Sequence, residues 1–348
     1  MTVKNTAILG GSGYTGAETI RLALAHPNLD IKTITGYSRA GQALADTYPN
    51  FIAHDLPPIV KLDEVDWDEI DVAFACLPHG ASQESIAAIS AKVETIIDLS
   101  ADFRLKSPEL YETTYGRSHD YQDLLSGAVY GLTEYAREEL EGAKLIACPG
   151  CYPTCSLLAI LPALDAEMIN PKTIIIDAKS GVTGAGRKAK TALIYSEVAD
   201  GAHPYSIGAH RHAPEIDQFI HYISGQTESL VRFTPHLIPM NRGMIATCYV
   251  DLADGISIAD LRAAYVARYN NEPFITVLAE GQMPHTRYVR GSNNVHIGVF
   301  ADREEGKAII VSVIDNLMKG SAGQAIQNYN ITQGWDETLG LKIDAIFP

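Results

Sequence analysis

A cysteine lies in a turn rich in proline and glycine, Cys148–Pro153, with the sequence CPGCYP. An apolar helical pattern over Ser156–Leu164 follows the turn, which predicts Cys151 at or beside a helix N-terminus. The helix dipole and the N–H groups there favour a thiolate and hold a developing oxyanion. Cys151 is therefore a candidate nucleophile. We interpret the remaining cysteines as buried structural residues: Cys76, Cys148, Cys155 and Cys248.

Cys148 and Cys151 also have the spacing of a zinc site or a redox dithiol. Structural zinc needs four ligands, and the sequence has no second C-x-x-C pair. His210 and His212 would complete a set, but alternate residues of a strand point to opposite faces. We therefore predict no metal. A dithiol redox site stays open as a minor alternative, because a proline inside such a pair is typical of redox sites.

Two histidines, an arginine and a glutamate are concentrated in residues 208–216, just before a helical pattern. A histidine is a natural acid/base partner for a cysteine nucleophile because its pKa lies near neutrality. Glu215 would orient the imidazole, as the third member of a catalytic triad does. The segment predicts an acid/base catalyst, and the residue types leave the choice between His210 and His212 open.

Three glycines, Gly10, Gly13 and Gly16, follow a strand-like run and open a helical pattern over Ala17–Ala25. Glycines let the backbone turn tightly and approach a pyrophosphate, whose charge then lies at the helix N-terminus. The position of this loop at the start of an alternating domain predicts a dinucleotide site. The residues of the loop between the glycines belong to the predicted site as well: Ser12, Tyr14 and Thr15.

The next strand-like run, Ile31–Thr35, indicates which dinucleotide binds. An NAD site usually has an acidic residue at the end of this strand for the ribose hydroxyls. Here the strand leads into Gly36-Tyr37-Ser38-Arg39, which contains no acidic residue. The hydroxyl of Ser38 and the guanidinium of Arg39 suit a 2′-phosphate, so the sequence favours NADP(H).

Two further segments carry groups that bind anions. Asp102-Phe103-Arg104 follows a strand-like run, where α/β domains present ligand contacts. Residues 179–188 are rich in glycine and basic side chains and follow another strand-like run. Both segments are candidates for anionic groups of a substrate.

The first half of the chain alternates short apolar runs with helical patterns, which predicts a doubly wound parallel sheet of the Rossmann type. After Cys151 strands predominate, with one clear amphipathic helix at Ile258–Tyr269, so we predict an α+β domain with a mainly antiparallel sheet. The predicted strands of that domain are Thr173–Asp177, Arg232–Ile238, Met244–Asp251, Phe274–Leu278 and Val295–Phe300.

The composition restricts the class of protein. The net charge of −15, without basic runs, argues against nucleic acid and anionic membranes as partners. No apolar run reaches the ~18 residues of a membrane span. The first residues lack a signal-like stretch, and five cysteines, three of them crowded together, do not form a secreted disulfide framework. We expect a cytoplasmic protein.

Taken together, the segments resemble the N-acetyl-gamma-glutamyl-phosphate reductases, a family of arginine biosynthesis related to aspartate-semialdehyde dehydrogenases. The resemblance covers essentially the whole chain, and the CPGCYPT turn is its most specific element. Cys155 departs from the small Ala or Gly usual after this turn, and an oxidative contact of Cys155 with Cys151 is a hypothesis. The other motifs that carry the resemblance are GGSGYTGAE, LPHG, DLSADFRL, KSGVTGAGRK, GAHRHAPEI, GSNNVHIGVF and VIDNLMKGSAGQAIQNYN.

The resemblance implies an NADPH-dependent reduction of an acyl phosphate through a thioester on Cys151, with His212 as acid/base, His210 nearby and Glu215 in support. It implies a substrate site lined by Arg104, Ser180, Gly181 and Tyr205. It places Pro78, His79 and Asn294 beside the cofactor. It also implies a discontinuous first domain, residues 1–148 and 321–348, a catalytic and dimerisation domain, residues 149–320, and a homo-oligomer, either dimer or tetramer.

Three rival functions remain at this stage. A homologue of lysine biosynthesis reduces an acyl-aminoadipyl phosphate, and selection against one methylene is worth only ~1–3 kcal/mol. Aspartate-semialdehyde dehydrogenase has a different cysteine turn. A non-catalytic NADPH sensor would need no pairing of Cys151 with His212.

Overall fold

The computed structural model describes residues 2–347, which form two compact units. The first contains the chain up to Pro149 together with Ser321–Lys342, and the second contains Gly150–Gly320 together with the residues from Ile343 onward. The segment that returns to the first unit therefore ends at Lys342, whereas the predicted range, 321–348, includes the tail. The tail lies with the second unit because the amide of Ile346 donates to the carbonyl of Arg290 at 2.8 Å and the Phe347 ring packs on Tyr288.

The described residues contain fourteen strands and ten α-helices. The strands are β1 Lys4–Leu9, β2 Leu29–Thr35, β3 Ile59–Val60, β4 Val72–Ala75, β5 Thr95–Asp98, β6 Val129–Tyr130, β7 Leu145–Ala147, β8 Ile175–Ser180, β9 His203–Pro204, β10 Arg232–Leu237, β11 Met244–Asp251, β12 Ile275–Val277, β13 Val295–Ala301 and β14 Lys307–Ile314. The helices are α1 Tyr14–Ala25, α2 Ser82–Ile89, α3 Pro108–Tyr115, α4 Gln122–Gly127, α5 Thr133–Leu140, α6 Cys151–Asp165, α7 Tyr195–Val198, α8 Ala213–Ser224, α9 Ile258–Tyr269 and α10 Gly323–Thr332.

The sheet of the first unit has the order β3-β2-β1-β4-β5-β7-β6, and all of its pairs are parallel. Both β4 and β5 are buried along their whole length, as expected for strands covered on both faces. The strand order reverses between β1 and β4, which is where open α/β sheets bind ligands. The predicted Rossmann-type sheet is confirmed.

The last helix of the first unit, α10, buries polar side chains as well as apolar ones. The side-chain Nδ2 of Asn328 donates to the carbonyl of Gly131 at 2.8 Å, and its side-chain Oδ1 accepts from the hydroxyl of Thr133 at 2.6 Å. Asn330 bonds His26 at 2.9 Å. These bonds join α10 to distant parts of the first unit and satisfy polar groups that are shielded from water.

The sheet of the second unit has the order β12-β13-β14-β11-β8-β10-β9. Four of its six pairs are antiparallel, whereas β12–β13 and β8–β10 are parallel. The predicted α+β domain with a mainly antiparallel sheet is confirmed. The interior strand β14 was not predicted, because its nearly continuous apolar run has no period that separates a buried strand from a buried helix.

Helix α6 is the core helix of the second unit, since every residue from Tyr152 to Leu164 is buried. Pro162 inside it has no N–H, so the carbonyl of Leu158 loses its usual helical donor. The hydroxyl of Tyr269 on α9 donates to that carbonyl at 2.7 Å instead. The described residues include no helix that is long and apolar enough to cross a membrane.

Replacing Asn328 with alanine should lower the free energy of unfolding of the first unit by about 2 kcal/mol, because the carbonyl of Gly131 and the hydroxyl of Thr133 both lose a buried partner. Asn50→Ala, at an exposed position, is the control. The measurement is the thermal unfolding midpoint of wild type and of the two variants. An Asn328→Ala midpoint equal to that of the control would contradict this account of α10.

Candidate active site

The second unit places Cys151 at the first position of α6, with Gly150 as the N-cap. Cys151 is only partly buried, unlike the helix that follows it. Gly320 packs directly on it: a Cβ at Gly320 would lie 2.9 Å from the Cβ of Cys151. A thiol at this position lies in the positive end of the helix dipole, which stabilises a thiolate.

The turn that carries Cys151 is fixed by a buried carboxylate. The amide of Gly150 donates to Oε1 of Glu215 at 2.8 Å, and Glu215 has no solvent exposure. Glu215 belongs to the first turn of α8, for which His212 is the N-cap residue. Glu215 therefore joins the start of α8 to the cysteine turn, and its support of an imidazole stays a prediction.

His210 and His212 lie in the turn before α8, so the argument that a strand would point them to opposite faces was wrong. Their ring centroids are 4.8 Å apart, and the backbone amide of His212 donates to Nδ1 of His210 at 3.1 Å. The ring of Tyr152 packs edge-on against both, at 5.6 Å from His210 and 6.0 Å from His212. The residue next to Cys151 therefore contacts both candidate acid/base residues.

Burial, and to a smaller extent the charge of Arg211, lower the pKa of His210 from 6.5 to about 4. The surrounding rings of Tyr152, Tyr205 and Phe233 replace the water that would solvate an imidazolium. His210 is consequently neutral at pH 7, and its Nδ1 is already an acceptor. The neutral ring carries its proton on Nε2.

The predicted substrate residues of the second unit lie close to this cluster. The hydroxyl of Tyr205 donates to that of Tyr152 at 3.2 Å, and Ser180 also hydrogen-bonds Tyr152. Gly181 has no room for a side chain, because a Cβ would lie 2.8 Å from the carbonyl oxygens of Met240 and Asn241. The sequence analysis did not identify Tyr152 as a site residue, although it stands inside the most specific motif.

The other four cysteines behave as structural residues. Burial raises the pKa of Cys76, Cys148 and Cys155 to about 12, and it raises that of Cys248 as well. These thiols therefore stay protonated at neutral pH. The thiol of Cys155 lies 3.4 Å from the carbonyl oxygen of Ser312. Within residues 2–347, no group of three or more His, Cys, Asp or Glu side chains could hold a metal ion.

The glycine loop of the first unit fits a dinucleotide. Gly10 has a φ of +80°, and a Cβ there would lie 2.5 Å from the carbonyl oxygen of Cys76. A Cβ at Gly16 would lie 2.4 Å from the carbonyl oxygen of Gly10. Gly13 is the N-cap of α1, so Tyr14 and Thr15 form its first turn. The backbone amides of this turn lie at the N-terminus of α1, where folds of this type bind a pyrophosphate.

The predicted 2′-phosphate residues follow β2. Ser38 is exposed, and the guanidinium of Arg39 donates to Gln42 at 3.1 Å. Pro78 and His79 lie in the loop after β4, which is the neighbour of β1 in the sheet. Both carboxylate oxygens of the buried Asp102 accept from the amide of Gly80, at 2.8 and 2.9 Å, so this loop is fixed in place.

Two predicted residues have contacts that define their surroundings but not their roles. Arg104, in the first unit, is buried and donates to the carbonyls of Cys148 at 2.7 Å and Leu99 at 3.1 Å. Asn294, in the second unit, immediately precedes β13, and its backbone amide donates to the hydroxyl of Ser292 at 3.3 Å. Substrate contact by Arg104 and cofactor contact by Asn294 stay predictions.

Two family models match the chain and define its class. The NAD-binding domain of semialdehyde dehydrogenases matches residues 5–143, and the dimerisation domain of semialdehyde dehydrogenases matches residues 151–316. Among solved structures, aspartate semialdehyde dehydrogenase II of Vibrio cholerae, complexed with ASA, is similar, with a TM-score of 0.73 and 18% identity over 96% of this chain and 99% of that chain. An NADP-bound aspartate semialdehyde dehydrogenase from Candida albicans gives a TM-score of 0.67 at 16% identity, over 95% of this chain and 99% of that one. The protein has the semialdehyde dehydrogenase fold and is an oxidoreductase.

Curated relatives define the family. An N-acetyl-gamma-glutamyl-phosphate reductase of Afipia carboxidovorans is 48% identical over 99% of this chain and 98% of its own length. A probable chloroplastic N-acetyl-gamma-glutamyl-phosphate reductase of Arabidopsis thaliana is 48% identical over 98% of this chain and 84% of its own length. The chain belongs to the N-acetyl-gamma-glutamyl-phosphate reductase family, which confirms the resemblance found in the sequence.

The low pKa of His210 makes the stability of the second unit depend on pH. Between pH 6.5 and about 4 the unfolded chain binds a proton that the folded protein does not, so stability falls as the pH falls. We expect His210→Asn to lose about 2 kcal/mol less than wild type between pH 7 and pH 5. The measurement is the thermal unfolding midpoint at both pH values, with His54→Asn at an exposed position as control. Identical losses in wild type and His210→Asn would contradict the assigned burial.

Proposed function

We propose that the protein reduces N-acetyl-gamma-glutamyl phosphate to N-acetyl-glutamate 5-semialdehyde and phosphate with NADPH, as a step of arginine biosynthesis. The observation that carries the proposal is the position of Cys151 at the start of α6, beside Tyr152 and the histidine pair, in a chain 48% identical to reductases of this name. The glycine loop supports a nicotinamide dinucleotide as the cofactor.

The residues of the second unit account for the covalent steps. The thiolate of Cys151 attacks the acyl carbon, the bond from that carbon to the phosphate oxygen breaks, and phosphate leaves a thioester behind. The amide of Tyr152, in the first turn of α6, is a suitable donor for the developing oxyanion. Gly150 is not, because its amide already donates to Glu215.

The cofactor, when bound, supplies the hydride that reduces the thioester. The tetrahedral oxyanion that results then collapses: its carbon–oxygen bond becomes the aldehyde carbonyl, the carbon–sulfur bond breaks, and a histidine gives its proton to the departing Cys151 sulfur. We assign that histidine as His212. His210 is neutral at pH 7 and surrounded by rings, which makes it a poor proton source. Its Nδ1 instead accepts from the His212 backbone and so holds that residue in place.

We further propose that NADP is preferred to NAD, with Ser38 and Arg39 at the 2′-phosphate. A homo-oligomer is supported by the match to a dimerisation domain. A cytoplasmic location stays a prediction.

The first experiment is phosphate-dependent oxidation of N-acetyl-glutamate semialdehyde, followed as NADPH formation. Wild type should show turnover that requires phosphate, and Cys151→Ser should lose it by more than a thousandfold because the covalent intermediate is no longer formed. Cys155→Ser is the matched control, since that thiol is buried and protonated. Turnover of only the longer aminoadipate analogue would reassign the substrate, and turnover of neither would favour the NADPH sensor.

Arg39→Ala should raise KM for NADP about tenfold or more and leave KM for NAD nearly unchanged, because only NADP has a 2′-phosphate to pair with the guanidinium. The measurement is the ratio of kcat/KM for the two cofactors in both proteins. Arg303→Ala, on the exposed turn of the other unit, is the control. An equal loss with NADP and NAD would refute the assignment of Arg39.

A further inference from the structure

The loop between β4 and α2, residues 76–81, lies at the end of the first sheet where a dinucleotide binds. The strand order reverses between β1 and β4, and open α/β sheets bind ligands beyond the carboxyl ends of such strands. The loop also touches the glycine loop, since a Cβ at Gly10 would lie 2.5 Å from the carbonyl oxygen of Cys76 and 3.4 Å from Cδ2 of Leu77. A dinucleotide on the glycine loop therefore has this second loop as its neighbour.

The carboxylate of Asp102 holds the loop and has no solvent exposure. The amide of Gly80 donates to both of its oxygens, at 2.8 and 2.9 Å. The amide of Ser82, the first residue of α2, donates to Oδ2 at 3.1 Å. Because these amides already have an acceptor, they are not available to a phosphate of a ligand. The structure thus gives Asp102 the task of holding the loop, in place of the anion binding that its sequence segment predicted.

The peptide of Gly80 is held from its other side as well. The guanidinium of Arg117 donates to the carbonyl of Gly80. Gly80 has a φ of +84°, and a Cβ there would lie 2.7 Å from Nη1 of Arg117. Only glycine combines this conformation with this close contact. Asp102 and Arg117 together therefore set the backbone conformation of the loop.

Two buried side chains fix the orientation of Asp102. The hydroxyl of Tyr111 donates to Oδ1 of Asp102 at 2.8 Å and accepts from Nε2 of Gln83 at 3.0 Å. Burial and the bond to Asp102 raise the pKa of Tyr111, so its hydroxyl keeps its proton at neutral pH. Gln83 belongs to α2, and its Oε1 accepts from the amide of Asp120 at 3.0 Å. Since Tyr111 and Gln83 have no solvent exposure, water does not compete for these bonds.

We propose that Asp102 is a positioning residue for the dinucleotide, because it holds the loop between β4 and α2 in the conformation that the cofactor contacts. This inference rests on the cofactor of the proposed function and not on its acyl substrate. Without the carboxylate the loop occupies several conformations, and the apparent dissociation constant rises as the fraction that can bind falls. Strands β4 and β2 lie on opposite sides of β1, so the loss is equal for NADP and NAD, unlike the loss expected at Arg39.

The experiment measures the dissociation constants of NADPH and NADH from their fluorescence on titration with the protein, which requires no turnover. Asp102→Asn should raise both constants about tenfold, because the side-chain amide directs N–H groups at amides that the carboxylate accepted. Hydrogen exchange in residues 78–82 of the cofactor-free variant should be faster than in wild type. Saturating NADPH should restore the protection.

Asp71→Asn is the matched control, since Asp71 also accepts a backbone amide of the first unit, that of Asn5 at 2.7 Å, but lies before β4 rather than after it. It should leave both dissociation constants at the wild-type values. Unchanged constants in Asp102→Asn, or a rise for NADPH alone, would overturn the proposal.

A second variant keeps the test decisive if Asp102→Asn does not fold. Tyr111→Phe removes one donor to Asp102 and should raise both constants about threefold. Unchanged constants in that variant overturn the proposal equally. Failure of wild type to bind either dinucleotide would refute the proposed function together with this inference, whereas binding without turnover would refute only the acyl substrate.

Discussion

The buried carboxylate of Glu215 accepts a hydrogen bond from the amide of Gly150, and most of the proposed active site depends on this contact. Gly150 is the N-cap of α6, and Glu215 lies in the first turn of α8, so one negative charge lies at the positive ends of two helix dipoles. This environment stabilises a carboxylate that has no solvent exposure. It also fixes the distance between the turn that carries Cys151 and the turn that carries His212.

The rest of the second unit makes this junction rigid. Helix α6 is buried on all sides. The carbonyl of Leu158, which Pro162 leaves without a helical donor, accepts a hydrogen bond from the Tyr269 hydroxyl. Gly320 approaches the Cβ of Cys151 closely enough to exclude any side chain at its own position. A nucleophile on such a helix has little freedom to move, and a preorganised site spends less binding energy on orienting its groups.

Much of the fold followed from local patterns. The alternation of apolar runs and helical periods predicted the parallel sheet. The helix at Ile258–Tyr269 has the predicted bounds, and its start is fixed by the capping box of Ser257 and Asp260. Strand β14 was missed, and β8 extends to Ser180 rather than ending at Asp177. The apolar run of β14 has no period that separates a strand from a buried helix, and β8 continues into the polar residues Lys179 and Ser180, so pairing with distant strands decides these elements.

For the site, the sequence by itself determined the residue types, the turn that begins α6 and the glycines that must approach backbone closely. Those features depend on neighbours within a few positions, where propensity and spacing act directly. Only the tertiary structure decided that His210 and His212 contact each other, that Glu215 bonds the cysteine turn, and that Tyr152 joins Tyr205 to His236. The partners in the three hydrogen bonds of Glu215 and Tyr152 are 53 to 84 residues apart in the chain. Their contacts arise from the packing of α6 against α8 and from the pairing of β9 with β10, which no local pattern encodes.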